Sequence, residues 1–249
     1  MTVIKQNLPR QRVRAAALLL SLLLFPITMN YLSPYLIIDS AAGGTINASF
    51  VVFGLLFLTA FIFFGRAWCG WVCPAGGLSE ACFPVQNKPF NHRLNWIKWL
   101  VWGLWLAAIV LMAYSAGGYH AVDLLYKTET GISISEPMMY IMYYLVLGTF
   151  ITLSLTLGKP GGCHTICWMT PFMILGRKLS NLLRLPGLRL KAEPSACTTC
   201  QRCTAVCPMS LKVHRMVEQN QMEHSECILC GSCVATCPHS VIHFRVTGP

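Results

Sequence analysis

Eight cysteines near the C-terminal end of the chain stand in two copies of one pattern, C-x2-C-x2-C-x3-C-P. The copies are Cys197, Cys200, Cys203 and Cys207-Pro208, then Cys227, Cys230, Cys233 and Cys237-Pro238. Three thiolates at two-residue intervals on a turning loop can reach three irons of a cubane, and the fourth iron takes a thiolate from elsewhere. This is the spacing that holds [4Fe–4S] clusters, so the pattern predicts two of them.

The source of each fourth thiolate follows from the duplication. In two-cluster ferredoxins it is the last cysteine of the other run. We therefore expect one cluster on Cys197, Cys200, Cys203 and Cys237, and the other on Cys227, Cys230, Cys233 and Cys207. Zinc sites usually pair one C-x2-C with a distant second pair, which disfavours zinc. Residues 188–249 are thus predicted to be a small 2[4Fe–4S] ferredoxin domain that folds around its metal.

Four further cysteines form two shorter pairs, each with C-x3-C spacing, and the pairs lie 94 residues apart (163 − 69 and 167 − 73). We call them the membrane-side quartet: Cys69, Cys73, Cys163 and Cys167. Within a helical turn, residues i and i+4 share one face, so two such pairs can bring four thiols together. Thiolates suit an iron–sulfur cluster, Zn²⁺ or Cu(I). Redox-active dithiols and plain packing of helix ends are the alternatives, and Cys82 is expected to be a free thiol.

The rest of the chain must position these cysteines, and its composition is that of a membrane protein. Of 249 residues, 55% are hydrophobic and 11% are charged, against about 25% charged in an average soluble domain. Four apolar segments without Asp, Glu, Lys or Arg approach the ~20 residues that cross a bilayer: 15–38, 48–64, 99–116 and 138–157. We therefore expect residues 1–187 to form an all-α membrane domain of four transmembrane helices in two duplicated hairpins.

The basic residues predict the orientation of these helices. Of the 19 Lys and Arg residues, Lys127 alone lies in the loops 39–47 and 117–137 on one side of the four segments. By the positive-inside rule both termini are then cytoplasmic, in a bacterial-type inner membrane. A reducing cytoplasm also disfavours disulfides in the C-terminal segment. The net charge of +10 is not gathered into Lys/Arg runs with interleaved aromatics, so we expect no nucleic-acid partner.

The stretch GRAWCGWVCP at residues 65–74, followed by Gly77-Leu78 and Glu80, resembles the membrane polyferredoxins of the NapH, NosR and CcoG group. With four spans and a short cysteine-rich tail, the chain is most similar to the NapH and MauN types. The second pair departs from the pattern, since Trp168 and not proline follows Cys167. The resemblance implies an electron-transfer subunit of a quinol dehydrogenase-type membrane complex. Its partner would be a ferredoxin-type subunit or a c-type cytochrome.

Clusters held against the inner face of a membrane indicate electron exchange with the quinone pool, in a direction that the sequence leaves open. A quinone site needs a slot between helices and a polar group to take the proton. The candidates on the outer side are Tyr114, Tyr119, His120, Asp123 and Glu136. His164, inside the second cysteine pair, is a further candidate as ligand or proton carrier.

Two other functions remain open from the sequence. The chain could be a copper or iron reductase or maturation factor, in which the membrane-side quartet binds the metal and the ferredoxin domain reduces it. It could also serve as a membrane dock for a larger complex.

Overall fold

The computed structural model describes residues 9–128, 131–134 and 137–249. The first expected span is broken into pieces: α1 (Pro9–Leu23), α2 (Phe25–Thr28), a 3-10 turn (Asn30–Leu32) and α3 (Pro34–Ala42). Pro26 and Pro34 explain the breaks, because proline lacks the N–H that continues a helix and its ring clashes with the preceding turn. Ser33 then caps α3 by accepting a hydrogen bond from the backbone N–H of Leu36.

The other apolar segments are helical. They are α4 (Ala48–Thr59) with a π-helical turn (Ala60–Phe64), α7 (Trp96–Ser115) after a 3-10 turn (His92–Asn95), and α8 (Met139–Leu157). Within the described residues, two helices are long and apolar enough to cross a membrane, His92–Ser115 and Met139–Leu157, and Ala48–Phe64 is apolar but shorter. The expectation of four transmembrane helices is therefore supported for two of the four segments.

The expectation of an all-α membrane domain is wrong in one detail. β1 (Thr45–Asn47) and β2 (Ala121–Asp123) form a parallel pair, with Thr45 opposite Ala121. The His120 N–H donates to the Gly44 carbonyl oxygen at 2.9 Å just before this pair. The strands form because both loops extend past the helix ends side by side, which leaves their backbone groups free to pair with each other.

Each pair of the membrane-side quartet lies at a break between two helices. The first break separates α5 (Ala67–Trp71) from α6 (Pro74–Ala81), and the second separates α9 (Gly161–Thr165) from α10 (Met169–Leu182). Cys73 has extended backbone angles and immediately precedes α6. The two cysteines of a pair thus do not share one continuous helix, because Pro74 starts a new helix after the first pair.

The C-terminal segment folds around an antiparallel pair, β3 (Gly187–Ala192) and β4 (Ile242–Thr247), with Gly187 opposite Thr247. Between the strands lie a 3-10 turn (Pro194–Ala196), α11 (Arg202–Ala205), α12 (Val213–Glu218) and α13 (Ser232–Thr236). A buried cluster that includes Leu190, Met209, Val217 and Ile242 forms its core. The division of the chain between residues 187 and 188 falls at the start of β3 and stays a prediction.

Candidate functional site

The eight C-terminal cysteines lie around two cavities, four at each. One cavity, of about 30 Å³, is lined by what we call the buried set: Cys207, Cys227, Cys230 and Cys233. The other, of about 20 Å³, is lined by the exposed set: Cys197, Cys200, Cys203 and Cys237. These are the two crossed groupings expected from the spacing. All thirteen cysteines of the chain are free thiols.

The two cysteine loops turn in the same way because their backbones repeat. Thr199 and Leu229 both have left-handed φ angles of 50°, and the next pair, Gln201 and Gly231, have φ of 58° and 75°. A residue with left-handed backbone angles between two cysteines makes the chain turn sharply. Non-glycine residues rarely adopt these angles, and those that do are often found at functional sites. The repeat positions three thiols of each run on one inward-facing loop, with the third on the short helix α11 or α13.

The environment of the buried set fits an iron–sulfur cluster. Its cavity walls include Leu190, Met209, Leu211 and Ile228 besides the thiols. The backbone N–H groups of Met209 and Leu211 hydrogen-bond to Cys207 and lower its pKa, but burial outweighs them and raises it to about 11. The protein thus supplies four soft ligands and N–H groups that donate to sulfur, and its apolar walls keep water away from the cavity. Loading with iron must release the thiol protons.

The two sets differ in their exposure to solvent. Cys207, Cys230 and Cys233 are buried, whereas Cys200 of the exposed set is open to solvent. Exposure and hydrogen bonds to sulfur are among the factors that set cluster potentials. The two sites are therefore not equivalent, and the exposed set is the one that is open to solvent.

Two members of the membrane-side quartet, Cys69 and Cys163, line one small cavity. Burial raises the pKa of Cys163 well above its ordinary value, and the charges of Cys167, Cys73 and Cys69 raise it further. Cys69 Sγ lies 3.6 Å from Met173 Sδ, which adds another soft sulfur. Cys82 stays apart, with its Sγ 3.4 Å from the Leu78 carbonyl oxygen.

The described cysteines do not form a site for a single metal ion. Among the described residues, no three His, Cys, Asp or Glu side chains lie close enough together to hold one metal ion. A cubane distributes its thiolates over four irons and so spreads them more widely than one ion does.

The quartet touches the loop of the buried set directly. Gly70, between Cys69 and Cys73, lies so close that a Cβ there would be 2.5 Å from the Ile228 carbonyl oxygen and 3.3 Å from Cys230 Cβ. Trp71 Nε1 donates to the Leu229 carbonyl oxygen at 3.1 Å. Only glycine permits this backbone approach, so α5 lies flush against the cluster loop.

A buried charge network joins the same two regions. Glu226, the residue before Cys227, accepts from Arg66 Nη1 at 2.8 Å and from the buried Lys98 ammonium. His164 Nδ1 lies 3.6 Å from Glu226 and 2.7 Å from Asn95 Oδ1. Burial alone would raise the pKa of Glu226, but the charges of Arg66 and Lys98 outweigh it and hold that pKa far below its ordinary value.

His164 is neutral and enclosed within this network. Its ring stacks on Phe90 with centroids 4.4 Å apart. Burial lowers the pKa of His164 to about 3, against the raising effect of Glu226. The network itself was missed from the sequence. Its only signals were a glutamate directly before a ligand cysteine and a lysine, Lys98, at the edge of an apolar segment.

The outer-side quinone candidates do not form a site among the described residues. Tyr114 is 86% exposed, His120 Nδ1 lies 3.3 Å from the Gly118 carbonyl oxygen, and Asp123 accepts from the Leu125 N–H at 3.0 Å. The ring of Tyr119 packs against Phe50 with centroids 5.9 Å apart. Glu136 lies outside the described residues.

Comparisons with known proteins agree with the cysteine patterns. A family model described as a 4Fe-4S dicluster domain matches residues 189–238. A second, described as a 4Fe-4S binding domain, matches residues 46–90, which include Cys69 and Cys73. The chain therefore carries 4Fe–4S-binding domains both at its C-terminal end and around the first membrane-side pair.

Curated relatives carry names from electron transport. The methylamine utilization ferredoxin-type protein MauN of Methylobacillus flagellatus is 26% identical over 70% of this chain and 60% of its own length. The putative electron transport protein YccM of Escherichia coli is 22% identical over 72% of this chain and 51% of its own. An uncharacterized protein of Methanocaldococcus jannaschii is 26% identical over 71% and 65%. The chain thus spans less than two thirds of each relative, and no solved structure matches it.

Proposed function

We propose that this chain, a member of the NapH/MauN-like polyferredoxin family, carries electrons between membrane quinone or quinol and a partner redox protein. The relatives' names and the two family models support an iron–sulfur protein of electron transport. The observation that carries the proposal is the pairing of two crossed cysteine sets, one docked against the quartet and the other open to solvent.

The eight C-terminal cysteines hold two [4Fe–4S] clusters in this proposal, one on the buried set and one on the exposed set. Each cluster supplies a one-electron carrier when bound. The chain's own residues do the rest. Gly70 and Trp71 hold the buried set against α5, the apolar walls exclude water, and the exposed set presents Cys200 to a soluble partner.

The membrane placement is also part of the proposal. Four segments cross the membrane, with both termini in the cytoplasm, and the broken first segment crosses as α1 to α3. The surfaces of α7 and α8 support this placement, because only 17% and 6% of their most apolar windows are buried inside the protein. A core helix of a water-soluble protein would be mostly buried, so these apolar faces need lipid around them.

The test is reduction of the clusters by a quinol in liposomes. Purified holoprotein should lose visible cluster absorbance when decylubiquinol or menaquinol is added anaerobically, and a quinone should reoxidise clusters reduced by dithionite. A Cys82→Ser variant serves as control, since that thiol lies outside both sets. Clusters that respond to dithionite but to neither quinol nor quinone would remove the quinone pool from the proposal.

A second candidate function is a copper or iron reductase or maturation factor. The sulfur-rich surroundings of Cys69 favour it, because thiolates and the Met173 thioether are ligands that suit Cu(I). Replacing the quartet by serine separates the two functions. Loss of bound copper with quinol reduction intact would favour the reductase, whereas intact metal handling with impaired cluster reduction favours the electron carrier.

A further inference from the structure

A cavity of about 500 Å³ lies where the membrane helices meet the ferredoxin strands. It is larger than the cavities of the two cysteine sets and is walled mainly by aromatic and aliphatic side chains. Its lining includes Phe64, Trp68, Trp71, Phe244 and, as a charged residue, Arg10. Pockets of 300–1,000 Å³ with apolar walls and a few polar groups are typical of sites for small organic molecules.

Two aromatic residues of this cavity touch the loop of the buried cysteine set. Trp71 donates its indole N–H to the Leu229 carbonyl oxygen. The Phe244 ring lies against Gly231, where a Cβ would be 3.0 Å from the ring. Leu229 and Gly231 flank Cys230, so an occupant of the cavity is separated from the buried cluster by one layer of side chains.

The opposite wall leads to the membrane-side quartet. Met173 lines the cavity, and its Sδ lies 3.6 Å from Cys69 Sγ. Trp68, also in the wall, is the residue before Cys69. A molecule in this cavity thus lies between the two groups of cysteines. Because such a position suits electron exchange, a redox-active molecule that dissolves in the membrane is the expected occupant.

The cavity is open at the side where the second apolar segment ends. Thr59 and Phe64 of its lining belong to the inner end of the second apolar segment, and Phe64 is 50% exposed. Arg10, at the start of α1, lies over the Phe244 ring at 5.1 Å and provides N–H donors at an otherwise apolar site. A molecule with an apolar tail, a flat ring and hydrogen-bonding oxygens matches these walls.

We propose that this cavity binds the ring of an isoprenoid quinone, with Arg10 donating to a ring oxygen. The inference rests on the proposed function and assigns its site. When a bound quinol becomes a quinone it gives up two electrons and two protons. The clusters that the buried and exposed sets would hold could take one electron each when bound, and the two protons would pass to water at the exposed rim. Reduction of a quinone would use the same two electrons and two protons in reverse.

The position of this cavity also distinguishes it from the outer-side candidates. Tyr114 stands sixteen residues along α7 from Lys98, which contacts Glu226, and that length of helix spans about 24 Å. Electron transfer slows steeply with distance, so a ring at the inner end has the shorter path to the clusters.

The experiment is photolabelling of the holoprotein in liposomes with an azido-ubiquinone, followed by peptide mapping. We expect labels on residues that line the cavity, removed by excess decylubiquinone. Val72 lines the cavity and is 37% exposed, so the larger side chain of Val72→Trp should fill part of the cavity and lower labelling at least tenfold. Val110→Trp, the same exchange on the 65% exposed face of α7, should leave labelling unchanged. Both variants should retain their iron.

Several results would overturn this site. Labels on residues 114–123 with clusters still reduced by quinol would place the quinone elsewhere and leave the proposed function standing. Labels in the cavity that decylubiquinone does not remove would mark an adventitious lipid-like occupant. If no label attaches and no quinol reduces the clusters, the proposed function fails together with the site. Should Val72→Trp lose its iron, the competition experiment on the unaltered protein decides the question.

Discussion

Glu226 lies where the loop of the buried set contacts the helical part of the chain. It is 4% exposed and pairs with Arg66 and Lys98, which are themselves buried. Glu226→Gln would leave two buried cations without their counter-charge. We expect the free energy of unfolding to fall by roughly 3–5 kcal/mol, measured as earlier thermal bleaching of the cluster absorbance.

The control for that variant is Asp39→Asn. Asp39 pairs with Lys127 at 2.7 Å, and the two side chains are 25% and 53% exposed. Exposed pairs contribute about 1 kcal/mol or less, so this variant should bleach at a temperature much closer to that of the unaltered protein. Equal shifts for both variants would contradict the special role of Glu226.

Glu223, which pairs with the buried Arg177 and Arg189, predicts a pH dependence. Burial raises its pKa, but hydrogen bonds and charge from Arg177 outweigh burial and lower it from 4.5. A lowered folded-state pKa contributes stability above about pH 4.5 that is lost as the pH falls through the folded value. The difference in the free energy of unfolding between the unaltered protein and Glu223→Gln should be constant near neutral pH and shrink below about pH 4.5. Backbone circular dichroism is the measurement, because acid destroys the cluster absorbance. A difference that grows in acid would refute this assignment.

At this scale the sequence predicts which cysteines lie together better than it predicts their surroundings. Three cysteines of each set follow from short-range spacing, because they lie within seven residues of each other, and the fourth follows from the duplication. Arg66 and Glu226 lie 160 residues apart, and no local pattern links them. For the same reason the burial of Lys98 has no signal in its neighbouring residues, although it is 1% exposed and contacts Glu226.

At the scale of elements, the helix α5 depends on Gly70 for its position against the cluster loop. A side chain there would collide with the Ile228 carbonyl oxygen. Gly70→Val should therefore displace the loop, and we expect less iron per chain and slower cluster reduction by quinol. Gly54→Val is the control, because a Cβ at Gly54 meets nothing within 4 Å. Equal iron and equal rates in both variants would argue against close docking.

The elements themselves could be predicted in part. The apolar segments identify α7 and α8 nearly to their ends, since length and hydropathy alone determine them. The prolines at 26 and 34 indicate a kink in the first segment, but the structure contains a full break, whose extent depends on where Ser33 caps the next helix. The β1–β2 pair forms between two loops that meet only in the folded chain, so no local sequence pattern predicts it.

At the scale of the whole molecule, the four-span topology predicts which loops face outward. Thr128→Cys, next to Lys127, should react with a membrane-impermeant maleimide in intact cells. Arg93→Cys, in the loop between the second and third segments, should react only after lysis. Labelling of both before lysis, or of Arg93→Cys alone, would contradict the orientation with cytoplasmic termini.

The measurement that tests the central claim most directly is the iron and acid-labile sulfide content of the anaerobically purified full chain. Two clusters require at least about eight irons and as many sulfides per chain. On reduction, electron paramagnetic resonance should detect two interacting clusters. Replacing Cys203 should remove the signal of the exposed set, and replacing Cys233 that of the buried set. A colourless protein without iron, or one with zinc in its place, would contradict the account.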